Sequence, residues 1–158
     1  MPTLINATGP GAELSTASIG YLSKSVDLSA ATWKSIASHE VFTVTGLVRV
    51  RTWVECTVNV TSTGGAATLQ YGVAGTTDGF ITATDENAID AVELWYDTSP
   101  TTNHDTFANV VFDYVVNGLD IGYEIADEAT TAGTLVFHLV YEPLNSTGLV
   151  VVGAGGTL

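Results

Sequence analysis

The stretch VFTVTGLVRVRTWVECTVNV, residues 41–60, keeps a period of two along its whole length. Its even positions are Phe42, Val44, Val48, Val50, Val54, Cys56, Val58 and Val60, interrupted only by Gly46 and Thr52. Such alternation lays the even set on a buried sheet face. The odd set (Thr43, Thr45, Leu47, Arg49, Arg51, Trp53, Glu55, Thr57 and Asn59) then faces water or a partner. Twenty extended residues span about 65 Å, whereas a compact domain of this length is about 40 Å across. The strand must bend or break. Gly46 is the expected corner, where the chain leaves one sheet for a second or reaches towards a neighbour.

Strand signals continue along the chain. Residues 19–28, 67–73, 79–83, 91–98, 134–142 and 149–152 each read as a strand. In 67–73 the apolar face is Ala67, Leu69, Tyr71 and Val73; in 134–142 it is Leu135, Phe137, Leu139 and Tyr141. In 91–98 the expected faces are Val92, Leu94 and Tyr96 against the more polar Glu93, Trp95 and Asp97. Asn117-Gly118 is the favoured pair for a two-residue type I′ turn. It predicts a hairpin in which Val116 faces Leu119, Tyr114 faces Ile121, Phe112 faces Tyr123 and Val110 faces Ile125. Only residues 84–91, with Thr84 as N-cap, suggest a helix, of one or two turns; 33–38 suggests a further turn. The expected fold is all-β, an antiparallel β-sandwich of jelly-roll type built from residues 19–158. Residues 1–18 mix Pro and Gly with small polar residues and read as an N-terminal arm.

Charge narrows the function. Seventeen acidic residues against four basic ones leave a formal net charge of −13. The field of such a chain repels phosphate, and two arginines beside Glu55 are no basic stripe, so nucleic acid is not an expected partner. No apolar run reaches the length of a membrane span, and the first 15 residues lack the pattern of a secretion signal, so folding in a cytosol is expected. Cys56 is the single cysteine and sits on the apolar face, which predicts a packed, inert thiol.

No catalytic pattern stands out, and no enzymatic activity or cofactor is expected. His39, His104 and His138 are far apart with no metal-ligand spacing, and His138 sits on a strand where a hydrogen-bonded interface residue is expected. Asp85, Glu86, Asn87 and Asp90 offer oxygen atoms to a hard cation such as calcium, but without EF-hand spacing they also read as a polar helix start. Gly153, Gly155 and Gly156, with no helix after them, read as a flexible tail.

Arg49, Arg51, Trp53 and Glu55, with His138, are the candidate subunit interface. Three readings stay open for the Arg49, Arg51 and Trp53 group: a solvated face with cross-strand ion pairs, a subunit contact, or a ligand platform. Tryptophan and arginine dominate interface hot spots, and exposed tryptophans also stack sugar rings. For an acidic chain, a second copy is the obvious source of carboxylates for the arginines.

Three segments carry a family resemblance: ATWKSIASHEVFTVTGLVRVRTWVECTVNVTSTGGAATLQYGVAG, ELWYD and NGLDIGYEIADEATTAGTLVFHLVYEPL. Together they resemble small virion proteins of tailed bacteriophages, of the capsid decoration or cement type. The resemblance covers residues 31–153 and brings no catalytic residue with it. It implies a β-sandwich, often trimeric, that binds the major capsid protein on the outer capsid surface after assembly in the host cytoplasm. The arm, through Leu4, Ile5 and Leu14, would then order on a neighbouring subunit. A carbohydrate-binding or adhesion module of a phage fibre is the alternative, and a tail tube or terminator component the third.

Overall fold

In the computed structural model, residues 19–102 and 113–158 are described. The expected arm, with Leu4, Ile5 and Leu14, lies outside them, as do His104, Val110 and Phe112. The described chain forms two antiparallel sheets packed face to face, a β-sandwich. Its strands are β1 (Gly20–Asp27), β2 (Ala37–Thr45), β3 (Leu47–Ser62), β4 (Thr68–Val73), β5 (Thr76–Asp85), β6 (Glu93–Trp95), β7 (Tyr114–Asn117), β8 (Ile121–Ala126), β9 (Thr130–Pro143) and β10 (Leu149–Val152). The first sheet runs β1-β9-β3, with β7 and β6 both pairing along the far side of β3; the second runs β10-β2-β8-β4-β5.

Gly46 is the corner. It takes φ +65°, and there the 41–60 stretch divides into β2 of the second sheet and β3 of the first. Phe42, Val44, Val48, Val50, Val54, Cys56 and Val60 are buried as the alternation requires. Val58 is not. Pairing with β9 slips in register between Cys56 and Val58, and the bulge turns Val58 outward to 49% exposure.

Asn117-Gly118 does not close the expected hairpin. A type I′ turn needs positive φ at both central residues, but only Gly118 adopts it, at +64°. The segment instead carries the chain from one sheet to the other. Tyr114 and Val116 pair with Val50 and Val48 of β3, while Ile121 pairs with Phe42 and Val73 in the second sheet. Gly118 N–H donates to Gly46 O at 2.9 Å, so the two crossings between sheets are tied together. β8, central in its sheet, buries Ile121, Tyr123 and Ile125, and a hairpin with one solvated face would have wasted that area.

Two further expectations are corrected. In 91–98 the faces are reversed: Val92 takes φ +64° and is 77% exposed, whereas Trp95 is fully buried. The indole carries the largest apolar area in the segment, and its Nε1–H finds a buried acceptor in Thr84 Oγ1 at 3.0 Å, which makes the interior affordable. Thr84 is therefore no N-cap. Asp85 caps the single 3₁₀ turn Glu86–Ala88, accepting from Asn87 N–H at 2.8 Å.

The C-terminal glycines are not a loose tail either. They extend β10 alongside β2, with Gly153 N–H donating to Val41 O, Glu40 N–H donating to Gly156 O and Thr157 bridging to His39. Gly155, at φ +89°, passes so close to Trp33 that a Cβ there would lie 2.7 Å from the ring. Glycine permits this approach where other residues would clash.

The interlayer is aromatic at its centre. Phe137 packs against Tyr71 and Tyr123, at 5.1 and 5.4 Å between ring centroids. Tyr123 donates to Trp33 O at 2.7 Å. Thr52, the polar break in the buried face, donates its one hydroxyl proton to His138 O at 2.7 Å, so the Tyr71 hydroxyl at 2.9 Å is the donor to Thr52. Burial pushes the Tyr71 and Tyr123 phenols well above the usual range.

Burial also pushes the Cys56 thiol from 9.0 up to about 11. Its Sγ–H lies 3.2 Å from Val58 O. The folded state thus holds this proton more tightly than the unfolded chain does. The stability it contributes is present below pH 9 and is lost as pH rises from 9 to about 11. At pH 8, a thiol reagent should label the native protein only at the rate of unfolding, and one equivalent should react at once in denaturant. Immediate labelling of the native state would contradict the packing.

Candidate functional site

All five interface candidates lie on the outward face of the first sheet. The odd residues of β3 place Arg49, Arg51, Trp53 and Glu55 in one row, and β9, antiparallel to it, sets Glu142 opposite Arg49 and His138 opposite Trp53. β1 adds Tyr21 from beyond β9. The period-two reading therefore holds for the face as well as for the core.

The arginines find their carboxylates within the chain. Arg49 pairs with Glu142 across the strands. Arg51 reaches Asp113 Oδ1 at 3.1 Å, just before β7 begins. A second copy is thus not the source of their counter-charges. All four side chains remain between 29% and 53% exposed, so each pair is worth only about 0.2–1 kcal/mol. Arg49→Ala should cost about 0.5 kcal/mol in denaturant unfolding at low salt and less at high salt. A loss above about 2 kcal/mol would mean that the pair is shielded in a way this geometry does not allow.

Trp53, His138 and Tyr21 form the other half of the face. The Trp53 and His138 rings stack at 5.2 Å with 12° between their planes. Tyr21 Oη lies 2.7 Å from His138 Nδ1, and the two planes differ by 20°, so the phenol meets the imidazole edge to edge through this hydrogen bond. His138 Nε2 is 3.4 Å from Glu55 Oε2. The imidazole is thus held on three sides, by Tyr21, Trp53 and Glu55. Of the aromatic pair flanking it, Tyr21 is 58% exposed. Ile19 and Val115 are also exposed, and Val115 stands opposite Arg49. Between the two ion pairs a shallow cleft is lined by Ile19, Arg49, Arg51, Asp113, Tyr141 and Glu142.

The remaining candidates go elsewhere. His39 is buried in the second sheet, its ring on Tyr123 at 5.1 Å and its Nε2 at 2.9 Å from Ser35 O, on a different sheet from His138. Of the acidic segment, Asp85 is occupied by Asn87 and Asp90 by Asn59 Nδ2 at 2.9 Å. Among the described residues no group of three or more His, Cys, Asp or Glu side chains is arranged to hold a metal. Glu86 turns inward and meets Ser62 Oγ at 2.7 Å. The same hydroxyl lies 2.7 Å from Glu128. The hydrogen bond from Ser62, then those from Gly64 N–H and Ala66 N–H, hold Glu128 below the usual carboxylate range. This joint between residues 62–66 and 128 was not legible in the sequence, because no local pattern links a serine to a carboxylate 66 residues away.

Compared with known proteins, the chain matches no protein-family model, no curated protein and no solved structure.

Proposed function

We propose that the chain is a structural virion protein, a capsid decoration or cement protein that binds the outer capsid surface. Its partners on this reading are the major capsid protein and a second copy of the chain. The observation that supports it is the outward face of the first sheet: Trp53 and exposed Tyr21 braced through His138 on one half, and exposed Ile19 and Val115 among the two ion pairs on the other. Aromatic anchors next to paired surface charge are what a stable protein contact uses. The strongly acidic balance favours the outside of a DNA-filled shell over its inside. Residues 1–18 serve in this proposal as an arm that orders on a neighbouring subunit.

The test is co-sedimentation of purified protein with heads of the source phage. The wild type should travel with the particles, and Trp53→Ala should lower occupancy at least tenfold while leaving the fold intact. A protein that stays in the supernatant but is retained on immobilised glycans, with retention lost in Trp53→Ala, belongs to the second reading, a carbohydrate-binding or adhesion module. That reading is favoured by the exposed aromatics themselves, although one face of Trp53 is already covered by His138. Hexameric rings in the electron microscope would point to a tail tube or terminator component.

A further inference from the structure

The open edge of β10 is unlike the other sheet edges. Edge strands expose unpaired N–H and C=O groups, and folded proteins guard them with charge, proline, bulges or shortness. β1 carries Lys24 and Asp27, β5 carries Asp78 and Asp85 and slips in register against β4, β6 has Glu93 in three residues, and β7 follows directly on Asp113. Among the described residues β10 pairs only with β2, and its other side has no such guard. Its sequence is Leu-Val-Val-Val, its register with β2 is regular, and from position 143 to 158 the chain carries no charged side chain.

The direction of its backbone follows from its neighbours. Gly153 N–H donates to Val41 O on β2, while Val44, opposite Val150, sends its N–H the other way, to Asp120 Oδ1 at 2.9 Å. Hydrogen-bonded and open pairs alternate in an antiparallel ladder, so Leu149 and Val151 bond to β2 and Val150 and Val152 turn their N–H and C=O to the open edge. Side chains complete the picture: Val150 is buried at 2% exposure, whereas Leu149 and Val151 stand 48% and 46% exposed on the outside of the sheet.

We propose that β10 pairs with β10 of a second copy, antiparallel across a two-fold axis, joining two five-stranded sheets into one of ten strands. Charge identifies the occupant. Two chains of net charge −13 repel each other, and β10 is an edge that carries no carboxylate of its own; the nearest, Glu40 on β2 beside Gly153, is held by the Thr43 hydroxyl. The strand is also self-complementary, as a two-fold contact requires, because a register that matches faces and hydrogen-bonding positions sets Val150 opposite Val152 and Val151 opposite its own copy, or Val150 opposite its own copy and Leu149 opposite Val151. This contact does not involve the outward face of the first sheet, and it gives a two-fold pair in place of the trimer that the family resemblance implies.

The experiment is sedimentation velocity over a concentration series of the full chain, with two variants. Val152→Pro removes an N–H that only the open edge uses, and Val151→Lys puts a charge on the outer face of the strand. The wild type should sediment as a dimer, its association strengthening as added salt screens the net charge. Both variants should weaken association at least tenfold while keeping the wild-type circular dichroism spectrum. Amide exchange should slow at Val150 and Val152 on dimerisation. A wild type that stays monomeric at every concentration, a trimer, or a dimer that Val151→Lys leaves unchanged would each overturn the proposal, even if Val152→Pro failed to fold.

Discussion

Replacing Trp95 with alanine should lower the unfolding free energy by about 3–5 kcal/mol, while Trp53→Ala on the opposite side of the same sheet should cost about 1 kcal/mol. Trp95 is fully buried between the sheets, and its removal leaves a cavity the size of an indole. It also deprives buried Thr84 of the Nε1–H that its hydroxyl oxygen accepts at 3.0 Å. Trp53 loses a stack on His138 at 5.2 Å and some half-buried area, in a setting that water can refill. Urea unfolding followed by far-ultraviolet circular dichroism measures both without relying on tryptophan fluorescence. Nearly equal losses would contradict the reversal of faces in β6, and with it the conclusion that Trp53, not Trp95, is the tryptophan available to a partner.

Long strands announced themselves because the alternation was redundant. In residues 41–60 one misleading position, Val58, could not obscure the other seven, and the length of the run required a corner that a single glycine could supply. The candidate face was legible for the same reason, since Arg49, Arg51, Trp53 and Glu55 share one parity on one strand. Short segments gave no such redundancy. In β6 three residues decide the face, and a positive φ at Val92 offsets the count before the strand begins. Asn117-Gly118 failed differently. Its local preference for a hairpin was real, but pairing β7 with β3 and β8 with β2 and β4 buries more apolar surface than pairing them with each other. The C-terminal glycines look the same whether they are a free tail or a close-packed extension. Only the presence of Trp33 beneath Gly155 distinguishes the two, and that contact spans most of the chain.

Close approach of this kind leads to the second large effect, at Gly122 in the middle of β8. Its φ is ordinary, so alanine would suit its backbone, but a Cβ there would lie 2.0 Å from His39 O. The obstacle is backbone, and β2 cannot easily withdraw. His39 is fixed by its stack on Tyr123 and its bond to Ser35 O, and Glu40 is fixed by Gly156 O. Gly72, directly opposite Gly122 on β4, is equally crowded, with Thr76 O 2.2 Å from its ideal Cβ. Flanking strands thus close over a strip of the second sheet that carries no side chains. Gly122→Ala must part β2 from β8, and the expected cost is about 3 kcal/mol or more, at the upper end of what overpacking produces. Gly118→Ala is the control. It has nothing within 4 Å of its ideal Cβ, and only its φ of +64° opposes a side chain, at about 1–2 kcal/mol. Amide exchange separates the two mechanisms: Gly122→Ala should release the amides of Glu40 and Leu158 along with the sheet, because both bonds depend on where β2 lies, and Gly118→Ala should not. If Gly122→Ala fell within about 1 kcal/mol of wild type, β2 would have room to move, and the C-terminal segment would not be held by the sheet it extends.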